Sequence, residues 1–164
     1  MSYTVLNSAM SSTLLSDPEV AGLFSADADL VAMLNFEAAL AEAEAEAGVF
    51  SSRRAQQIAA ACRGFRPDMA RLDAGISRDG MAVPDLVAQL REAIGTEASK
   101  YLHFGATSQD VIDTSLTSRL QRVNQILEPR LLNVCASLAH LDKRFGTNQL
   151  MARTRMQSAL PILA

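Results

Sequence analysis

Residues 101–114 read Tyr-Leu-His-Phe-Gly-Ala-Thr-Ser-Gln-Asp-Val-Ile-Asp-Thr, the one stretch where an imidazole, hydroxyls and carboxylates crowd together. A long run of helically spaced apolar residues follows, so His103, Thr107 and Ser108 are delivered to the start of a helix. Unpaired backbone N–H groups and the positive end of the helix dipole make that position a seat for an anion, and the expected ligand is a carboxylate. Thr107-x-x-Asp110 has capping-box spacing, a tetrad that also caps helices binding nothing. His103 stands four residues before the cap, with Gly105 between them to let the backbone turn tightly. It adds a titratable donor able to grip one carboxylate and to stabilise charge growing on it, although a loop histidine can also be satisfied by structure alone. His140 lacks polar company within its apolar stripe and reads as helix surface or core.

A second cluster is Arg153-Thr-Arg-Met-Gln157. Two guanidiniums, a hydroxyl and an amide within a few residues can hold a planar carboxylate through paired hydrogen bonds, a geometry lysine does not match. The alternative is a solvated basic loop beside a helix.

The elements that must position these groups all have helical spacing, with no convincing alternating strand. Asp17-Pro18 is an N-cap followed by proline at the first helical position, opening a short helix toward Phe24. A second helix begins near Asp27, with Leu30, Met33, Leu34, Ala38 and Ala41 on one face, glutamates 42, 44 and 46 in its C-terminal half, and Gly48 as its stop. Ser51 or Ser52 caps a third running to about Cys62. Pro67 and Gly75 predict a fourth, irregular segment. Pro84 opens a fifth, whose Leu86, Val87, Leu90 and Ile94 form a stripe ended by Gly95.

Ile112, Leu116, Leu120, Val123, Leu127, Leu131, Val134, Leu138, Leu141 and Phe145 then recur at steps of three and four. At about 1.5 Å per residue this is one helix face on the order of 50 Å long. Pro129 is expected to kink or split it. Five short helices cannot cover such a stripe, so partner helices from more chain or from other subunits are expected, as in a bundle. Residues 151–164 read as the start of another element.

The chain has 164 residues, 49% hydrophobic and 20% charged, enough for one sizeable core in a globular fold. With 15 basic against 18 acidic residues, and no basic cluster around aromatics, no nucleic-acid partner is expected. Cys62 and Cys135 lack CxxC spacing and a histidine pair, and read as buried small hydrophobes rather than a metal or disulfide pair. Neither a secretory signal nor a span of about 18 apolar residues is visible, so a cytoplasmic location without membrane partner is expected.

The pattern His103-x-Gly-x-Thr-Ser-x-Asp110, followed by a long helix and then Arg-Thr-x-x-Gln-x-Ala-x-Pro at 153–161, resembles the fumarase/aspartase superfamily. That superfamily includes adenylosuccinate and argininosuccinate lyases, fumarase, aspartase and the carboxymuconate cycloisomerases. Leu34-Asn-Phe-Glu-Ala-Ala-Leu-Ala-Glu-Ala-Glu, Val83-Pro84-x-Leu-Val-x-Gln-Leu90 and Leu102-His-Phe-Gly-Ala-Thr-Ser-Gln-Asp-Val-Ile-Asp113 look like the cycloisomerase branch. Most lyases of the superfamily carry a histidine in the second motif where this chain has Arg155, a change compatible with that branch.

The resemblance implies an all-α fold, an N-terminal helical domain at 1–106 and the start of a long-helix bundle domain at 107–164. It implies closure of a γ-lactone by addition of one carboxylate of a small tricarboxylate across a double bond, with no metal or redox cofactor. His103 and Ser108 are then the catalytic candidates. Thr107, Ser108, Gln109, Thr154, Arg155 and Gln157 are the substrate-binding candidates, Arg155 as an anion partner. The superfamily's third signature, a Gly-Ser-Ser-x-Met-Pro-x-Lys-x-Asn-Pro loop with a catalytic serine, does not occur in these residues. Members are more than twice as long and form homotetramers with shared active sites, so the chain reads as an N-terminal portion of such a protein.

Overall fold

A computed structural model describes residues 14–95 and 97–163. Their helices are α1 (Pro18–Gly22), α2 (Ala26–Glu46), α3 (Ser52–Gly64), α4 (Met69–Asp79), α5 (Val83–Ile94), a 3-10 turn (Glu97–Tyr101) and α6 (Ser108–Phe145). Strands β1 (Gln149–Arg153) and β2 (Ser158–Leu163) follow. The chain is thus mostly helical, as expected. Its contacts divide it into two units, one ending at Arg122 and the other beginning at Val123.

Local chemistry sets the helix ends of the first unit. The Asp17 carboxylate accepts from the amides of Glu19 and Val20 at 3.1 and 3.2 Å, and Pro18 enters α1 without an amide to satisfy. Ser25 caps α2 through the Ala28 amide at 3.1 Å. Gly48, just beyond α2, takes a φ of 78°. α4 is a regular helix rather than the irregular segment expected. Asp68 caps it by accepting from Ala70 and Arg71, and Gly75 sits inside it without breaking it. The reason for Gly75 is close approach: a Cβ there would lie 2.6 Å from the Asp85 Cβ on α5.

The core of this unit joins Leu30 and Leu34 of α2, Ile58 and Cys62 of α3, Leu72 of α4, Leu86 and Leu90 of α5, Leu102 and Val111. Removing such side chains from water drives the packing, at about 1.5–3 kcal/mol for each large one fully buried. One buried polar bridge crosses α4 and α5: the Gln89 amide donates to Asp85 at 2.6 Å and to the Asp68 carbonyl at 3.1 Å, and accepts from the Asp68 amide at 2.7 Å. The start of α6 is anchored to α2 by the buried Ser115, which donates to Asp29 at 2.7 Å, and by Arg119, which pairs with the same carboxylate at 2.7 Å.

α6 runs unbroken past Pro129, so the expected split does not occur. A single proline removes one ladder bond, and the remaining bonds of a long helix keep it continuous. In the second unit Val123 is buried, but from Leu127 onward the large apolar residues of α6 are exposed among the described residues, Leu131 at 62% and Leu138 at 60%. Cys135 is exposed with them, against the expectation of burial, while Cys62 is buried as expected.

The hairpin β1–β2 is the other departure. It is antiparallel, pairing Gln149 with Leu163, Leu150 with Ile162, Met151 with Pro161 and Arg153 with Ser158. Both strands are edges, so Pro161 can enter without breaking an interior ladder. No helix among the described residues is long and apolar enough to cross a membrane.

Candidate functional site

The loop between the 3-10 turn and α6 is held from two sides. On one side Leu102 is buried and its carbonyl accepts from the Arg91 guanidinium of α5 at 2.9 Å. On the other, His103 Nδ1 lies 2.7 Å from Glu37 Oε1 of α2, with the Glu37 side chain 1% and the His103 side chain 15% exposed. His103 has a φ of 56°, a left-handed backbone that costs a non-glycine residue about 1 kcal/mol or more and persists only where its surroundings hold it. Gly105 then supplies a second left-handed residue, φ 69°, and a Cβ on it would stand 3.7 Å from Glu44 Oε1.

At the helix start the capping box forms in full. The amide and hydroxyl of Thr107 donate to Asp110 Oδ2 at 2.8 and 2.9 Å, and the Asp110 amide returns a longer bond of 3.4 Å to the Thr107 hydroxyl. The Thr107 amide and then its hydroxyl hold the Asp110 carboxyl below the usual aspartate range. Asp110 therefore supplies the first negative charge at this helix terminus. Ser108 is half-buried, and its hydroxyl has no partner among the described residues. The Gln109 amide reaches forward to Asp113 at 2.7 Å.

Two groups beneath the loop were not singled out from sequence. Glu37 is buried, and burial pushes its carboxyl up from the ordinary glutamate range, opposed by His103 and by Arg91. Glu44 is raised by its own burial and then by the charge of Glu37. The outer oxygens of both carboxyls, Glu37 Oε2 and Glu44 Oε2, are buried without a hydrogen-bond partner among the described residues. The sequence does carry a signal for Glu37: it falls three residues after Leu34 and four before Ala41, a charge inside the buried stripe of α2. The Cys62 thiol is pushed up to about 12 by burial and by Glu37, which leaves it a core side chain rather than a nucleophile.

His103, Thr107, Ser108 and Gln109 are therefore gathered on one loop and helix start in the first unit. Thr154, Arg155 and Gln157 lie in the second, in the turn of the hairpin. There the Thr154 hydroxyl accepts from the amides of Met156 and Gln157 at 3.3 and 3.1 Å and donates to the Gln157 carbonyl at 3.1 Å. Thr154 thus closes the turn, and the exposed Arg155 and Gln157 project from it.

The chain is similar to known proteins over most of its length. The profile of a family described as "Lyase" matches residues 15–163. A 3-carboxy-cis,cis-muconate cycloisomerase of Pseudomonas putida is 35% identical over 148 residues, covering 88% of this chain and 35% of its own length. An adenylosuccinate lyase of Methanothermobacter thermautotrophicus is 34% identical over 145 residues, 88% of this chain and 32% of its own. The crystal structure of the 3-carboxy-cis,cis-muconate lactonizing enzyme from Pseudomonas putida superposes with a TM-score of 0.81 at 36% identity, over 90% of this chain and 34% of that one. The chain spans about a third of the length of these relatives. With the loop motif, the long helix after it and the family profile in agreement, the chain belongs to the lyase family of the fumarase/aspartase superfamily.

Proposed function

We propose that the protein of which these residues are part is a carboxymuconate cycloisomerase. In this reading one carboxylate of 3-carboxy-cis,cis-muconate adds through its oxygen to a ring-closing carbon of the diene. The π electrons move onto the neighbouring carboxylate as an enolate, and a proton delivered to carbon completes the γ-lactone. The reaction is redox-neutral, and its demands are charge stabilisation and one proton.

The observation that carries the reading is the loop at 102–110, where the Glu37-paired His103 and the Ser108 hydroxyl, free among the described residues, share one helix start. Ser108 is assigned to the developing enolate and His103 to proton handling or anion binding. Thr107 holds the helix start through Asp110, and the family resemblance also gives it, with Gln109, Thr154, Arg155 and Gln157, a share in carboxylate binding. Similarity to the cycloisomerase of Pseudomonas putida supports this branch.

A second reading, a lyase releasing fumarate from a succinyl adduct, is favoured by the comparable identity to the archaeal adenylosuccinate lyase. The protein at its natural length, given 3-carboxy-cis,cis-muconate and adenylosuccinate side by side, separates the two by product. Lactone without fumarate supports the cycloisomerase; fumarate from adenylosuccinate replaces it with the lyase. The proposal includes a cytoplasmic location, a domain boundary at 106/107 and a homotetramer. The outward apolar side chains of α6 support self-association, since contiguous apolar surface of this kind marks interfaces.

A further inference from the structure

We infer that Glu37 is a positioning residue for His103, fixing the imidazole with Nδ1–H donated to Glu37 Oε1 and Nε2 left as the open nitrogen. The inference rests on the reading of His103 as a functional group, but its physical content is a property of the resting protein.

Three observations converge. The first is that the contact spans 66 positions of sequence at 2.7 Å with both partners sheltered, so it is no surface encounter. A buried carboxylate without a cation or donor is costly, and a helix stripe of apolar residues has no packing need for one. The second is that His103 holds a left-handed backbone while Arg91 fixes the carbonyl just before it. Those constraints define where the ring emerges, and the Glu37 bond defines its rotation. The third is that Nε2 has no partner among the described residues, although Nδ1 is engaged. A histidine tautomer is set by the hydrogen bond that its other nitrogen makes. A carboxylate on Nδ1 leaves Nε2 as the acceptor in the neutral ring. When Nε2 takes a proton, the imidazolium charge faces Glu37 with no proton passing between the two side chains.

The surrounding charges fit this assignment. Burial raises the Glu37 carboxyl, and His103 first and then Arg91 on α5 oppose that rise, both acting toward the carboxylate that Nδ1–H requires. Glu44 on the same helix is raised by the charge of Glu37, and Asp110 on α6 is the other anion influenced by His103. Cys62 on α3 is pushed up partly by Glu37, so that neighbour contributes no competing charge.

The test is nitrogen NMR of the imidazoles in the protein at its natural length, the His103 signals assigned by their loss in a His103→Gln variant. Neutral His103 in the wild type is expected to carry its proton on Nδ1. Glu37→Gln, which keeps an acceptor oxygen, should retain that tautomer, whereas Glu37→Leu should return His103 to the Nε2–H form favoured by free imidazole. A wild-type spectrum with the proton on Nε2, or a folded Glu37→Leu protein with an unchanged tautomer, overturns the inference. If Glu37→Leu fails to fold, the wild-type and Glu37→Gln spectra still decide it. None of these readings involves substrate, so inactivity toward carboxymuconate would remove the proposed reaction and leave this result standing.

Discussion

Thr107 and Ser108 are adjacent hydroxyls with different employment: one is bound to Asp110 and the other is free among the described residues. The difference was half legible in the sequence. Capping-box spacing is local, so the Thr107–Asp110 tetrad could be read directly, while the pairing of His103 with Glu37 is set by tertiary packing and could not. The two kinds of carboxyl around this loop should also respond oppositely to pH. Asp110 is lowered in the folded state, so its stabilisation is complete above the usual aspartate value and is lost as pH falls through the lowered one. Thermal melts of wild type and Asp110→Asn should therefore differ most above about pH 4, the ordinary aspartate range, and converge below it. Glu44 is raised, so its contribution is present at low pH and lost as pH rises through its folded value. Glu44→Gln should gain stability relative to wild type as pH rises above about 4, the ordinary glutamate range. A gap independent of pH in either series would contradict the burial and hydrogen bonding described.

At the scale of elements, the places where pattern and structure part share a cause: a residue type with two uses. Gly75 and Pro67 read as breakers, yet Gly75 lies inside α4 because its missing Cβ lets Asp85 approach. Pro129 reads as a kink or a split, and α6 runs through it as one helix. The hairpin went unseen because its strands are short, exposed and carry Pro161, so neither alternation nor burial announces them. The Gly75 argument has a measurable consequence. An alanine there gains up to about 1 kcal/mol of helix propensity, but its Cβ must displace the root of the Asp85 side chain, an overpacking that costs about 1–3 kcal/mol. Gly75→Ala should thus lower stability by about 1 kcal/mol in denaturant melts, the clash outweighing the propensity. A more stable variant would show that α4 and α5 can move apart freely.

For the whole molecule, the helix spacing in the sequence forecast the mostly helical character and the long α6, because sustained three-and-four periodicity over many turns admits no other reading, while the hairpin at its end departs from the all-helical expectation. What covers the outward face of α6 lies beyond a single chain's pattern. Homo-oligomerisation should appear in light scattering at about 10 μM, a concentration that fills interfaces of sub-micromolar Kd; a clean monomer would contradict the tetramer proposal. The central claim is chemical, and one measurement addresses it: loss of the diene's ultraviolet absorbance when 3-carboxy-cis,cis-muconate meets the protein at natural length, wild type beside Ser108→Ala. A hydroxyl aimed at the developing enolate acts in the transition state, and removing one such donor costs on the order of 10²-fold in rate. The account predicts steady consumption by wild type and a kcat reduced about 100-fold in Ser108→Ala with KM little changed. No consumption by wild type, or equal turnover by the two proteins, would contradict it.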